Sequence, residues 1–290
     1  MERRVRMLIR NPLPWLKQAQ AEGWAVPAFN MHNLETLQAI VDACSKARSP
    51  LILQTTPGTV KYMRLPYIAA CVRAAAEQAD IPIALHMDHA SDEDMLYQGI
   101  KAGYSSLMVD RAHLPYDENV AFVRRVAAVG HAVDICMEGE LGRIGGVEDS
   151  LSVDDREATM TVPEEAAAFV QATGIDTLAV AIGTAHGVYK GEPELDFDRL
   201  AKIKAKVSLP FVLHGASGVP EHQIKAAMRL GVCKINIATE IKIPLAEGIR
   251  AILADETEND PRKYMGEGRS RVMDMVREKV ALFGAEGKAG

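Results

Sequence analysis

Eight times along the chain a short apolar or β-branched run gives way to a polar turn and then to a stretch with helical spacing of its apolar residues. The runs cover residues 25–30, 51–55, 83–87, 106–110, 132–137, 177–182, 211–214 and 233–237, and most begin about 20 to 45 residues after the one before. A strand that must cross to a parallel neighbour needs a connection of that length, and a helix is the usual way to make it. The intervening segments fit: over 34–47 the residues Leu37, Ile40, Val41 and Cys44 share one face, and 66–79 and 163–173 read the same way. Eight such units close into a (β/α)8 TIM barrel more readily than they form an open sheet, although alternation alone leaves a doubly wound sheet open. The expectation is one barrel domain over residues 1–290. The charged run beyond Ala254 leads into an amphipathic stretch at 270–283, expected to be a tail helix packed on the barrel.

The net charge of −6 argues against a general nucleic-acid or anionic-membrane surface, which needs clustered Lys and Arg. Any anionic ligand must be held locally. The first residues, MERRVRMLIRNPLPWL, have too short an apolar run for a secretion signal, and no stretch has the length of a membrane span. Cys44, Cys71, Cys136 and Cys233 lie far apart and mostly in apolar segments, so free thiols are expected and a cytoplasmic location with them.

A barrel enzyme carries its working groups at the C-terminal ends of its strands. Three histidines stand there: His89 after the third strand in LHMDHA, His186 after the sixth in IGTAHG and His214 closing the seventh in VLHGASG. One histidine near a strand end is more often a hydrogen-bonded core residue, but three at equivalent positions point to a shared ligand. Three neutral imidazoles with an open fourth position suit a catalytic Zn²⁺. Glu140, in CMEGELG, is open to two readings, an alternate oxygen ligand or a supporting carboxylate. His32, His86, His113, His131 and His222 lack this placement, and His86 is expected to hydrogen-bond near the site rather than ligate.

Asp88 directly precedes His89, where a carboxylate can exchange a proton with a metal-held substrate. The long connection at 141–162, rich in Gly and acidic residues, reads as a lid that carries a second acid, Glu148. Two loops of small residues follow the last two strands: Gly215, Ala216, Ser217 and Gly218, and Asn236, Ile237, Ala238 and Thr239. Loops after the seventh and eighth strands are the common barrel phosphate site, because small residues let backbone amides approach the anion.

Taken in order, HMDHA, EGELGRIGG, VAIGTAHGVYKGEP, VLHGASG and KINIATE resemble the class II aldolases that cleave fructose or tagatose 1,6-bisphosphate, from about Asn30 to the end of the chain. The resemblance implies zinc on His89, His186 and His214, Asp88 as the proton carrier at the C4 oxygen, and Glu148 as the carboxylate for the C3 proton. It further implies triose phosphate against Gly187, Gly215, Ala216, Ser217, Asn236, Ile237, Ala238 and Thr239, with Thr56 contacting the aldehyde half. A monovalent cation (Na⁺ or K⁺) near the phosphate loops, a homodimer or homotetramer, and dihydroxyacetone phosphate and glyceraldehyde 3-phosphate as products come with it, and the need for an accessory subunit stays open. Ala238 in the form NIATE resembles tagatose-bisphosphate aldolases more than fructose enzymes, which often have Asp or Asn there. Arg111, in VDRAH, stands where relatives tend to have a small residue.

Other readings were weighed on the same residues. A metal-dependent hydrolase typically opens with His-x-His on its first strand, whereas this strand reads VPAFN. A Schiff-base aldolase needs a lysine in a strand, and Lys234 is the one Lys inside an expected strand, but the resemblance gives it no such role. A non-catalytic partner subunit of a sugar-phosphate pathway would have lost the ligands that this chain keeps.

Overall fold

The computed structural model describes residues 10–148, 151–153, 158–189 and 191–290. Its strands are β1 (Val26–Asn30), β2 (Leu51–Thr55), β3 (Ile83–Ala90), β4 (Ser106–Val109), β5 (Cys136–Leu141), β6 (Gly145–Glu148), β7 (Leu151–Val153), β8 (Thr177–Val180), β9 (Ala185–His186), β10 (Phe211–Leu213) and β11 (Val232–Ile237). The helices are α1 (Leu13–Glu22), α2 (Leu34–Lys46), α3 (Pro57–Met63), α4 (Leu65–Gln78), α5 (Glu93–Ala102), α6 (Tyr116–His131), α7 (Pro163–Thr173), α8 (Phe197–Lys204), α9 (Glu221–Arg229), α10 (Thr239–Leu253) and α11 (Pro261–Leu282).

Eight parallel strands close in the order β1-β11-β10-β8-β5-β4-β3-β2, which is the (β/α)8 barrel. Closure is sealed where β1 pairs with β11, Val26 opposite Lys234 through Phe29 opposite Ile237. Every residue of β1, β2, β3, β4, β5 and β11 is buried, as strands with a core on one face and helices on the other require. Among the barrel-strand residues Asn30, Gln54, His86, Asp88, Glu138, Lys234 and Asn236 are polar and all buried.

Most expected strands shift by one to three residues, and three segments differ further from the sequence reading. The fifth barrel strand runs over Cys136–Leu141, not 132–137, because 132–134 form the turn out of α6, with Asp134 in the left-handed region at φ 58°. The connection at 141–162 carries strands: β6 and β7 form an antiparallel hairpin, and β6 pairs in parallel with β9. Its residues 149–150 and 154–157 lie outside the described part. The tail helix starts at Pro261, nine residues before 270, with the Asp260 carboxylate accepting the Arg262 N–H at the N-cap. It packs on α10 and α2, and the α10 crossing is close: a Cβ on Gly248 would stand 2.6 Å from the Gly268 Cα. No helix among the described residues is long and apolar enough to cross a membrane.

Candidate active site

Successive strand residues face opposite sides, so Asp88 and His89 should diverge, one into the barrel and the other toward the helices. The β3–β4 ladder prevents this by shifting register between Met87 and Ala90, with His89 at φ 51°. An irregularity of this kind re-aims a side chain. Asp88 stays in phase with His86 in the interior, while the His89 ring swings to within 4.8 Å of the His186 ring and 4.6 Å of the His214 ring, centre to centre. His214 directly follows β10, and His186 ends β9, where it pairs with Gly146 of β6. That approach demands glycine: a Cβ at Gly146 would stand 2.2 Å from the His186 carbonyl oxygen.

Two of the rings are oriented by carboxylates. His89 Nδ1 lies 2.8 Å from Asp110 Oδ2, and His214 Nε2 lies 2.8 Å from Glu138 Oε1. Their other nitrogens, His89 Nε2 and His214 Nδ1, face each other at 2.9 Å. When each outer nitrogen gives its proton to a carboxylate, each inner nitrogen presents a lone pair. Two lone pairs at that distance repel unless a positive centre lies between them. Ligand atoms of His89, His186 and His214 all fall within 4.8 Å of one another. Burial holds His186 and His214 well below the usual imidazole range, so both stay neutral as ligation requires. Burial alone would raise Asp110, but the hydrogen bond from His89 brings that carboxyl down to about 2. The donor set therefore fits a divalent metal, with the carboxylate–imidazole support that such sites usually have.

Beside this cluster Asp88 is gripped on both oxygens: Asn30 Nδ2 donates to Oδ2 at 2.8 Å and Asn236 Nδ2 to Oδ1 at 3.2 Å. Gln54 in turn donates to Asn30 Oδ1 at 2.8 Å, which fixes the amide's orientation. The Asn236 amide nitrogen also lies 3.1 Å from His214 Nδ1, so one group touches both the acid and the imidazole cluster. Below them Lys234 donates to Glu138 Oε2 at 2.8 Å and stands 3.4 Å from His86 Nε2, whose Nδ1 meets Ser106 Oγ at 2.7 Å.

The expected phosphate residues gather on one side of the mouth. Gly187 follows His186; Gly215, Ala216 and Ser217 follow His214; Asn236 and Ile237 end β11; Ala238 and Thr239 begin α10, whose N-terminal amides and dipole favour an anion. Ser217 Oγ accepts the Glu240 N–H, and the Glu240 carboxylate accepts the Gly218 N–H and pairs with Lys279 of α11. Thr56 stands apart from these, buried at the N-cap of α3 beyond β2. Glu140 joins a second potential ligand set with His89 and Asp110. Burial, and then the charge of Asp110, push its carboxyl well above the usual range. Glu148 ends β6, opposite Leu151 of β7.

Residues 11–288 match the family described as Fructose-bisphosphate aldolase class-II. The chain belongs to the class II fructose-bisphosphate aldolase family. Among solved structures it is similar to the YdjI aldolase of Escherichia coli K12, with 32% identity, 97% of this chain and 100% of that chain covered, and a TM-score of 0.85. A putative fructose-1,6-bisphosphate aldolase from Coccidioides immitis shares 30% identity over 97% of this chain and 98% of its own, at a TM-score of 0.90. A fructose-bisphosphate aldolase from Campylobacter jejuni, 24% identical with 95% and 94% covered and a TM-score of 0.80, shares the fold. The protein is thus an aldehyde-lyase, and class II aldolases in general depend on zinc.

Sequence reasoning missed several groups that shape this aldolase's site. Glu138 went unassigned because the fifth strand was drawn about four residues early; its spacing of two from Glu140 was the available signal of a shared inward face. Asp110, Asn30 and Gln54 are polar residues at the ends of apolar runs, a pattern that in a barrel marks the working end. Lys234 proves to be the buried partner of Glu138. Arg111 has a packing role, its guanidinium 4.4 Å from the centre of the Phe122 ring, with Arg125 also on that ring at 5.1 Å.

Proposed function

We propose that this aldolase reversibly cleaves D-tagatose 1,6-bisphosphate to dihydroxyacetone phosphate and D-glyceraldehyde 3-phosphate, with zinc on His89, His186 and His214. The observation that carries the reading is the convergence of those three imidazoles beside an Asp88 held on both oxygens. The ion, when bound, acts as a Lewis acid for the negative charge that develops on the triose half as the C3–C4 bond breaks. In cleavage Asp88 accepts the C4 hydroxyl proton, its carboxylate aimed by Asn30 and Asn236. Glu148 delivers a proton to C3, and condensation reverses both transfers. The amides around Gly187, Gly215, Ala216, Ser217, Asn236, Ile237, Ala238 and Thr239 bind the triose phosphate, with a monovalent cation nearby, and Thr56 contacts the aldehyde half. Glu140 serves as an alternate oxygen ligand.

Tagatose over fructose rests on Ala238, at the N-cap of α10, where fructose enzymes often have an acid or amide. Fructose 1,6-bisphosphate is the second reading, favoured by the family description and by the Coccidioides relative. The reading also takes the enzyme as a cytoplasmic homodimer or homotetramer. Buried free thiols at Cys44, Cys136 and Cys233 support the compartment, and the exposed Tyr62 beside Leu245, Ala246 and Ile249 in an apolar groove supports self-association.

A coupled assay of both bisphosphates, run before chelation, after it and with zinc restored, tests the reading. Zinc-dependent triose phosphate release with the higher kcat/KM for tagatose bisphosphate is expected. Preference for fructose would overturn the Ala238 argument alone, and release unaffected by chelation would overturn the zinc assignment. Glu148→Ala is expected to slow proton exchange at C3 of dihydroxyacetone phosphate by about 100-fold while leaving substrate affinity nearly intact. Exchange at the wild-type rate, followed by NMR in D₂O, would remove Glu148 from the chemistry.

A further inference from the structure

Tyr189 belongs to neither the imidazole cluster nor the expected phosphate contacts, yet its hydroxyl joins the segments that carry two of the three histidines. It accepts the N–H of Ala185, the residue before His186, at 2.8 Å. It donates to the carbonyl of Gly215, the residue after His214, at 2.7 Å. The two segments are in backbone contact at this point: Gly215 sits at φ 62°, and a Cβ there would come within 2.6 Å of the Ala185 carbonyl oxygen. The ring continues along the same loop, with its Cδ2 3.4 Å from where a Cβ on Gly218 would stand.

His89 and His214 stand on or directly after barrel strands, and His186 ends β9, a two-residue strand outside the closed barrel. Pairing of Gly146 with His186 ties β9 to β6, and the Tyr189 hydroxyl bridge ties it to the His214 side. We propose that Tyr189 is a positioning residue that sets the spacing between His186 and His214 and so tunes the affinity of the metal centre. The inference rests on the reading that these histidines hold the metal.

Tyr189→Phe keeps the ring and removes the bridge. Zinc affinity, measured by competition with a chromophoric chelator on the full-length protein, is expected to weaken about 10-fold, at the lower end of what loss of an indirect support causes. The unfolding midpoint of the metal-free protein is expected to stay within about 4 °C of wild type, the scale of the two hydrogen bonds lost. Zinc affinity within about twofold of wild type would overturn the proposal, as would a large drop in midpoint with affinity unchanged, which would make Tyr189 a purely structural residue. A wild-type chain that takes up no zinc would overturn both this inference and the proposed function. Wild-type zinc binding weakened by the Phe variant, in a protein that cleaves neither bisphosphate, would uphold Tyr189 and reject the substrate reading.

Discussion

His186→Ala is expected to yield a folded protein that is purified without zinc and cleaves its substrate at least about 10³-fold less efficiently in kcat/KM. Loss of a Lewis acid removes several kcal/mol of transition-state stabilisation, and about 4 kcal/mol already corresponds to that factor. His186 is the member of the proposed zinc centre to choose because its loss separates chemistry from folding. Its strand is held by backbone pairing to β6, which Ala preserves, and it lies outside the eight barrel strands. His214 would confound the test, since its ring also satisfies Glu138 in the interior. Metal content by elemental analysis, steady-state kinetics and a thermal melt together decide the matter. Retained zinc with wild-type turnover would rule out the three-histidine centre.

Lys234→Met should have the opposite profile, a large loss of stability. Lys234 and Glu138 are each 1% exposed, with Nζ 2.8 Å from Oε2, so neither charge has water to fall back on. Breaking such a pair from one side costs about 3–5 kcal/mol, because the charge that remains is stranded in the interior. Urea unfolding measures it, and a loss below about 1 kcal/mol would mean that His214 alone is enough for Glu138. Adding Glu138→Gln to the Met variant is expected to recover part of the loss, since the neutral amide can still face His214 without an uncompensated charge. A double variant no more stable than Lys234→Met would place the cost in packing.

Much of this architecture is legible without coordinates because it rests on short-range patterns. Strand-and-helix alternation reports burial on two faces, and it led to the barrel. Position at strand ends picked out His89, His186, His214 and Asp88, since in a barrel the C-terminal rim is set by where each apolar run stops. The residues that failed to read were polar ones inside elements. MEGEL looks like a loop along the chain, yet it is a buried strand whose Glu138 is offset by a lysine 96 residues away and an imidazole 76 residues away. The hairpin at β6 and β7 was read as a plain lid because its docking partner, β9, lies about 40 residues further on. The early start of α11 was readable from Asp260 and Pro261, a cap and first-turn pair, but the charged run around them masked it.

The sequence by itself determined the repeated strand-turn-helix units and the strand-end positions of His89, His186, His214 and Asp88, since each depends on spacing within a single unit, while closure of the eight strands into a barrel rather than an open sheet belongs to the tertiary structure. Only the tertiary structure decided which carboxylate meets which imidazole, that His89 turns inward through a local shift in register, and that Asn236 reaches Asp88 from 148 residues away. The contact of Asn236 with Asp88 exists only once β11 closes on β1. A hydrogen bond needs its partners within about 3 Å and well aligned, and no local pattern along the chain encodes that geometry.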